Sequence, residues 1–214
     1  VAEDANIAKA VRGAVTACFS SAGQLCVSIE RLLLHESIAD EFLSEFVSAV
    51  RGMRLSPELT FDADMGSLGS AAQLERVSAH VEDARAKGAV VLVGGRARPE
   101  IGPYFYEPTV LTEVTAAMAC RDDETFGPVV CVSRVGSDGE AVRLANDSDF
   151  GLSASVWTQD VARGRRIARS IMAGTVSIND GYAAAWGSVG APMGGMKSSG
   201  LSRRHGFEGI AKYT

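Results

Sequence analysis

The 214-residue sequence contains no apolar run approaching the ~20 residues that a membrane-spanning helix needs. Cysteine is sparse: Cys18, Cys26, Cys120 and Cys131 are widely and irregularly spaced, with no C-x-x-C pair. That spacing excludes a zinc ribbon and a small disulfide framework, and reduced thiols are expected. Basic charge is in deficit, with 21 Lys and Arg against 26 Asp and Glu and a formal net charge of -5. Nucleic-acid binding, which needs a positive footprint, is therefore not expected, and no polybasic segment offers a seat for anionic lipid. The densest basic run, Arg163-Gly164-Arg165-Arg166 with Arg169, falls in a helical pattern and reads as a solvated face. His35, His80 and His205 are scattered and form no H-E-x-x-H, so no metal site is expected. There is no G-x-S-x-G elbow for a serine hydrolase. The start, Val1-Ala2-Glu3-Asp4, is acidic and lacks the apolar region of a secretory signal, which makes a cytoplasmic protein the expectation.

What is present is the composition of an α/β domain: 46% hydrophobic, 22% charged, 23 glycines. Ile7, Val11, Val15 and Cys18 or Phe19 recur at helical spacing, so the chain opens with a helix ending before Ser20. Arg31-Leu32-Leu33-Leu34-His35 reads as a short buried strand, followed by a helix from about Ile38 to Val50. Leu74, Val77 and Val81 mark a further helix that closes at Lys87-Gly88. Strands are expected at Ala89–Val93, Val129–Val132, Ser153–Trp157 and Gly174–Asn179, with helices at Glu140–Ala145 and Val161–Met172. This alternation predicts an α/β fold with a largely parallel sheet and helices on both faces, in a single domain over 1–214. From Asp180 to Gly200 the pattern gives way to a long Gly- and Ala-rich loop, a length more often functional than not.

Three runs carry chemistry. The first is Ser20-Ser21-Ala22-Gly23-Gln24-Leu25-Cys26. A lone cysteine is ordinarily a small buried hydrophobe. Here small residues on its N-terminal side allow close approach to the backbone, and the Cys26 N–H at a turn could polarise a carbonyl oxygen. The second is Glu124-Thr125-Phe126-Gly127-Pro128-Val129. Residues two apart in an extended backbone share a side, so a carboxylate fit for a ribose diol lies beside a ring. Taken alone, the pair is better read as an exposed Glu next to a buried Phe before a Gly-Pro turn. The third is Pro192-Met193-Gly194-Gly195-Met196-Lys197-Ser198-Ser199-Gly200, followed by Gly206-Phe207-Glu208-Gly209-Ile210-Ala211-Lys212-Tyr213, a tight turn leading into a final helix.

Together these runs resemble the catalytic part of an aldehyde dehydrogenase, with Gly23-Gln24-Leu25-Cys26 matching the family's nucleophile pattern. The resemblance covers nearly the whole chain. It implies that Cys26 is the catalytic thiol, forming a thiohemiacetal and then a thioester. It implies that Glu124 and Phe126 contact NAD or NADP, with Gln73 and Arg76 at the adenine-side ribose. Both of the latter fit equally as surface residues of an amphipathic helix. Leu25, Tyr182, Trp186 and Met193 would line the aldehyde tunnel. Asn179 would either join them or simply end a strand.

The closing run looks most like the succinate-semialdehyde branch, although Ser20, which cannot pair bidentately with a carboxylate, stands where that branch commonly has an arginine. A hydrophobic or broad aldehyde specificity therefore stays open beside it. The family's Glu-Leu-Gly-Gly-Lys run, which carries the general base, does not occur here, nor does a Gly-rich turn for a pyrophosphate. The expectation is a piece lacking the N-terminal cofactor-binding half, inactive alone, from a parent that is a homodimer or homotetramer. Two other readings stay open: a non-catalytic folding or assembly module, and a thiol-dependent esterase or acyltransferase using Cys26.

Overall fold

A computed structural model describes residues 1–211 and 213; Lys212 of the closing run lies outside the described residues. The chain opens with helix α1 (Ile7–Phe19), whose first turn is capped by the Asn6 side chain accepting from Lys9 N–H at 2.9 Å. Strand β1 (Arg31–His35) follows, then α2 (Glu36–Arg51), α3 (Ala71–Ala86), β2 (Val90–Val93), β3 (Thr109–Thr112), the one-turn α4 (Ala119–Asp122), β4 (Val129–Val135) and α5 (Asp138–Asn146). A second group comprises β5 (Phe150–Gly151), β6 (Ser153–Val156), α6 (Val161–Ser170) and β7 (Thr175–Ile178). The closing part contains α7 (Ala183–Gly187), β8 (Met193–Gly194), β9 (Met196–Lys197), β10 (Arg203–Arg204) and α8 (Gly206–Ala211).

The main sheet has the order β1-β4-β3-β2. β1 runs parallel to β4, in line with the expected parallel sheet, and so does β3, a strand the sequence did not suggest; β2 is antiparallel to β3, so the sheet is mixed. The cause is local. No helix separates β2 from β3, and without a crossover element the chain returns in the opposite direction. β6 and β7 form a separate parallel pair joined through α6. The expected loop after Asp180 is only partly a loop, since β9 pairs with β5 and β8 pairs with β10.

Alternation along β1 explains where the site lies. Leu32 and Leu34 point into the core shared with α1 and α2, where Phe19 stacks on Phe46 at 6.1 Å between ring centroids. Arg31, Leu33 and His35 line a cavity, which Leu32 also borders, whose other wall includes Ala141, Val142 and Ala145 of α5. One face of the sheet thus carries the packed helices, and the other carries α5 and an open space.

Candidate active site

The turn that presents Cys26 is built by an unusual backbone. After α1, Ser21, Ala22 and Gly23 are all left-handed, with φ of 54, 55 and 70°. For non-glycine residues that region costs on the order of 1–2 kcal/mol each, so the turn must be held from outside. Gln24 does part of this. Its amide donates to Ser21 O at 3.0 Å, and its Oε1 accepts from Gly69 N–H at 2.8 Å. Leu25 to Ser28 then closes as a tight turn, with Ser28 N–H donating to Leu25 O at 2.8 Å.

Cys26 is the exposed thiol of the four; Cys18, Cys120 and Cys131 are buried. Burial pushes the Cys18 thiol far up. Hydrogen bonding to Cys120 and burial do the same for Cys131. Cys26 faces a cavity of about 490 Å³ together with Leu25, Ser28, Glu30, Glu124 and Ser199. Among the described residues no acceptor engages the Cys26 N–H, which leaves a backbone donor beside the sulfur. The Ser28 hydroxyl, in the same wall, is buried without a hydrogen-bond partner among the described residues.

The Glu124-Thr125-Phe126 run packs directly against this turn. A Cβ placed on Gly23 would lie 2.1 Å from Gly127 O, so the two backbones touch. Phe126 is itself left-handed, at φ 51°. Four hydrogen bonds hold it there. Thr125 N–H and Phe126 N–H donate to the two Glu30 carboxylate oxygens, each at 2.9 Å. Gln73 Nε2 on α3 donates to Thr125 O and Phe126 O, each at 2.7 Å. Burial raises the Glu30 carboxyl above the ordinary glutamate value, while those two N–H groups pull it back. His80 Nδ1 lies 3.0 Å from Thr125 Oγ1, and burial lowers its imidazole. Glu124 is exposed, and among the described residues nothing hydrogen-bonds or pairs with its carboxylate.

The structure brings Leu25, Cys26 and Glu124 to one cavity, with Phe126 two residues along. It does not bring all the sequence candidates there. Gln73, expected at the cofactor's ribose, uses its amide hydrogens to hold the Thr125–Phe126 backbone. Arg76 is exposed on α3. Asn179 clamps Thr158, accepting from its N–H at 3.0 Å and donating to its O at 2.8 Å, beside a separate cavity of about 230 Å³. Of its two readings, strand-end anchor is the one this geometry serves. Tyr182 precedes α7, Trp186 is exposed on it, and Met193 is buried in β8; none of the three lines the Cys26 cavity. Glu30 and Ser28 were missed. In sequence, Glu30 looks like a solvated charge at the head of a strand, and its partners lie 95 and 96 residues away.

The cations of the cavity are already occupied. Arg31 donates to Leu144 O at 2.8 Å and Asp147 O at 3.1 Å, and Arg121 pairs with Asp122 and Asp147. Among the described residues no group of His, Cys, Asp and Glu is placed to hold a metal ion, and no helix is long and apolar enough to cross a membrane.

The aldehyde dehydrogenase family model matches residues 1–214. The chain belongs to the aldehyde dehydrogenase family. It is 57% identical over 214 residues to a Mycobacterium tuberculosis protein provisionally named succinate-semialdehyde dehydrogenase (NADP+) 2, covering 100% of this chain and 41% of that one. It is 40% identical over 215 residues to betaine aldehyde dehydrogenase 1 of Oryza sativa subsp. japonica, covering 42% of that protein. The solved betaine aldehyde dehydrogenase of Staphylococcus aureus in complex with NAD+ superposes with a TM-score of 0.92 at 35% identity, over 99% of this chain and 42% of that one. A point mutant of the same enzyme is solved with NAD+ and a BME-modified cysteine. This aldehyde dehydrogenase chain therefore spans about two fifths of the length of the relatives it matches.

Proposed function

We propose that the whole protein is an NAD(P)-dependent aldehyde dehydrogenase acting on succinate semialdehyde, with Cys26 as its nucleophile. The observation that carries this reading is a shared cavity. An exposed thiol with an unengaged N–H stands in one space with a carboxylate that has no partner among the described residues. The likeness to enzymes solved with NAD+ and with a modified cysteine supports it.

In the reaction, the Cys26 thiolate adds to the aldehyde carbon, forming a C–S bond and an oxyanion. The Cys26 N–H donates to that oxyanion. Loss of hydride from the carbon leaves a thioester on Cys26, and attack by water releases the carboxylic acid and regenerates the thiol. The nicotinamide, when bound, supplies the hydride acceptor. The residues present fit such a cofactor: Glu124 offers two acceptor oxygens, unpartnered among the described residues, to a ribose diol, and Phe126 would offer a ring on a backbone that hydrogen bonds hold in place. Gln73 acts here through the backbone it fixes, and Arg76, exposed on α3, would supply a cation to the adenine-side ribose.

The chain forms one domain over 1–214 in this reading. The segment from Asp180 onward belongs to the substrate side in this reading, where Ser198 and Ser199 border the cavity, while Tyr182, Trp186 and Met193 stand outside its lining and Asn179 anchors the end of β7. Exposed Leu201, Phe207 and Ile210 support assembly of the parent as a homodimer or homotetramer, and the free thiols suit a cytoplasmic setting. The test is steady-state kinetics on the full-length protein. Succinate semialdehyde should be oxidised with NADP or NAD at least about tenfold more efficiently than butanal, and Cys26→Ser should lower kcat by roughly 10³-fold or more. The 214-residue polypeptide alone, without a Glu-Leu-Gly-Gly-Lys run, should show no turnover. Unchanged kcat in Cys26→Ser would refute the assignment.

A further inference from the structure

A carboxylate withdrawn from water must find donors, and the usual ones are Arg and Lys. Glu30 has neither among the described residues. Its two oxygens are taken instead by consecutive peptide N–H groups, Thr125 and Phe126, each at 2.9 Å. Consecutive N–H groups next to a left-handed residue form a concavity that binds anions, and Glu30 fills the one made by Phe126 at φ 51°. The same residue is fixed at its other end. It lies four residues beyond Cys26, and its carbonyl accepts from Cys131 N–H at 2.8 Å, which locks it to the sheet. Glu30 also lines the cavity that Cys26 and Glu124 share.

We propose that Glu30 is a positioning residue: its carboxylate fastens the Glu124–Phe126 segment to the nucleophile's turn, so that thiol and cofactor contacts keep one fixed separation. The inference rests on the reading of Glu124 and Phe126 as cofactor contacts. Its consequence is specific. Loosening Glu30 should release the cofactor side while leaving the thiol in place, because Gln24 and the turn hydrogen bonds hold Cys26 independently. Gln at this position would turn an NH2 group towards one of the two N–H donors, whereas Asp would keep both acceptors on a shorter arm.

The experiment compares Glu30→Gln, Glu30→Asp and Glu124→Gln in the full-length protein. Losing one charge-assisted bond and opposing another donor predicts a rise of about tenfold in KM for the nicotinamide cofactor in Glu30→Gln. KM for the aldehyde and the iodoacetamide reaction rate of Cys26 should stay within about twofold, and Glu30→Asp should fall between. A merely structural role would lower the thermal midpoint and the active fraction without dividing the two KM values. If Glu124→Gln raises cofactor KM and Glu30→Gln does not, the proposal is overturned while the site assignment survives. If Glu124→Gln leaves cofactor KM unchanged, the site assignment falls and takes the proposal with it. Should Glu30→Gln fail to fold, Glu30→Asp decides: a raised cofactor KM with unchanged aldehyde KM supports the proposal, and no change in either overturns it.

Discussion

At Gly23 the backbone is left-handed with φ 70°, and a Cβ built there would sit 2.1 Å from Gly127 O and 2.5 Å from Gly127 C. Both obstacles are backbone atoms of the Glu124–Val129 run, so neither can swing aside as a side chain could. Gly23→Ala should therefore combine left-handed strain with overlap and cost roughly 2–4 kcal/mol, measured by urea denaturation. Gly66 provides the contrast, having nothing within 4 Å of its would-be Cβ; Gly66→Ala should stay within about 0.5 kcal/mol. Equal effects would show that the two runs do not press on each other. The same contact explains what a sequence reader can see here. The glycine before Gln24 is visible as part of a nucleophile pattern, and Cys26 with it. Glu30 is invisible, because its meaning resides in two peptide N–H groups distant in the chain, and backbone donors leave no mark in a sequence.

Among elements, the ones with a clear period are where they were expected. β1 spans Arg31–His35, and α3 ends at Ala86 before the Lys87 cap. α2 starts at Glu36 rather than Ile38 because the His35 ring caps it, accepting from Ser37 N–H at 3.3 Å. β3 was not expected at all. Thr109–Thr112 is only four residues long, buried on nearly every position, and shows no alternation to detect. Yet it is an inner strand of the main sheet. Tertiary clamps were equally hidden, the tightest being Asp4 against the turn between β6 and α6. Its carboxylate accepts from the Thr158 hydroxyl at 2.7 and 2.8 Å and from the Gln159 and Asp160 N–H groups, each at 3.0 Å. Burial works against its ionisation, but these donors outweigh it and hold the carboxyl below the usual 3.8. A depressed native value means the stabilisation is complete above the unfolded aspartate value and disappears as pH falls through the native one. Asp4→Asn should thus be less stable than wild type at pH 7, with the gap narrowing as pH drops below about 4. Urea midpoints across that range read it directly, and a gap independent of pH would exclude the ionised clamp.

Over the whole molecule, what matters is how distant residues divide between core and cavity. Cys26, Glu124 and Ser199 meet in one space although the chain separates them widely, and no local pattern predicts that meeting. The family resemblance anticipated it for Cys26 and Glu124. It did not anticipate that Tyr182, Trp186 and Met193 line no part of this cavity, because their placement depends on short pairings such as β8 with β10. The fold nevertheless makes one global statement about reactivity. Cys18, Cys120 and Cys131 are 1%, 3% and 6% exposed, packed against α1, β4 and their neighbours, while Cys26 faces solvent. Only a thiolate that reagent can reach is alkylated, so Cys18 and Cys131 react only when the core opens. Cys120, 3% exposed, needs a smaller local opening, since it borders the cavity and its hydrogen bond with Cys131 lowers its thiol. In the folded protein, iodoacetamide should modify Cys26 fast and the other thiols of these 214 residues at least about 10²-fold more slowly, at a rate set by opening. In concentrated guanidinium all four should react alike. Peptide mapping by mass spectrometry after timed quenching distinguishes the sites. Fast labelling at Cys120, which also borders the cavity, would show that the wall between α4 and β4 is open in solution.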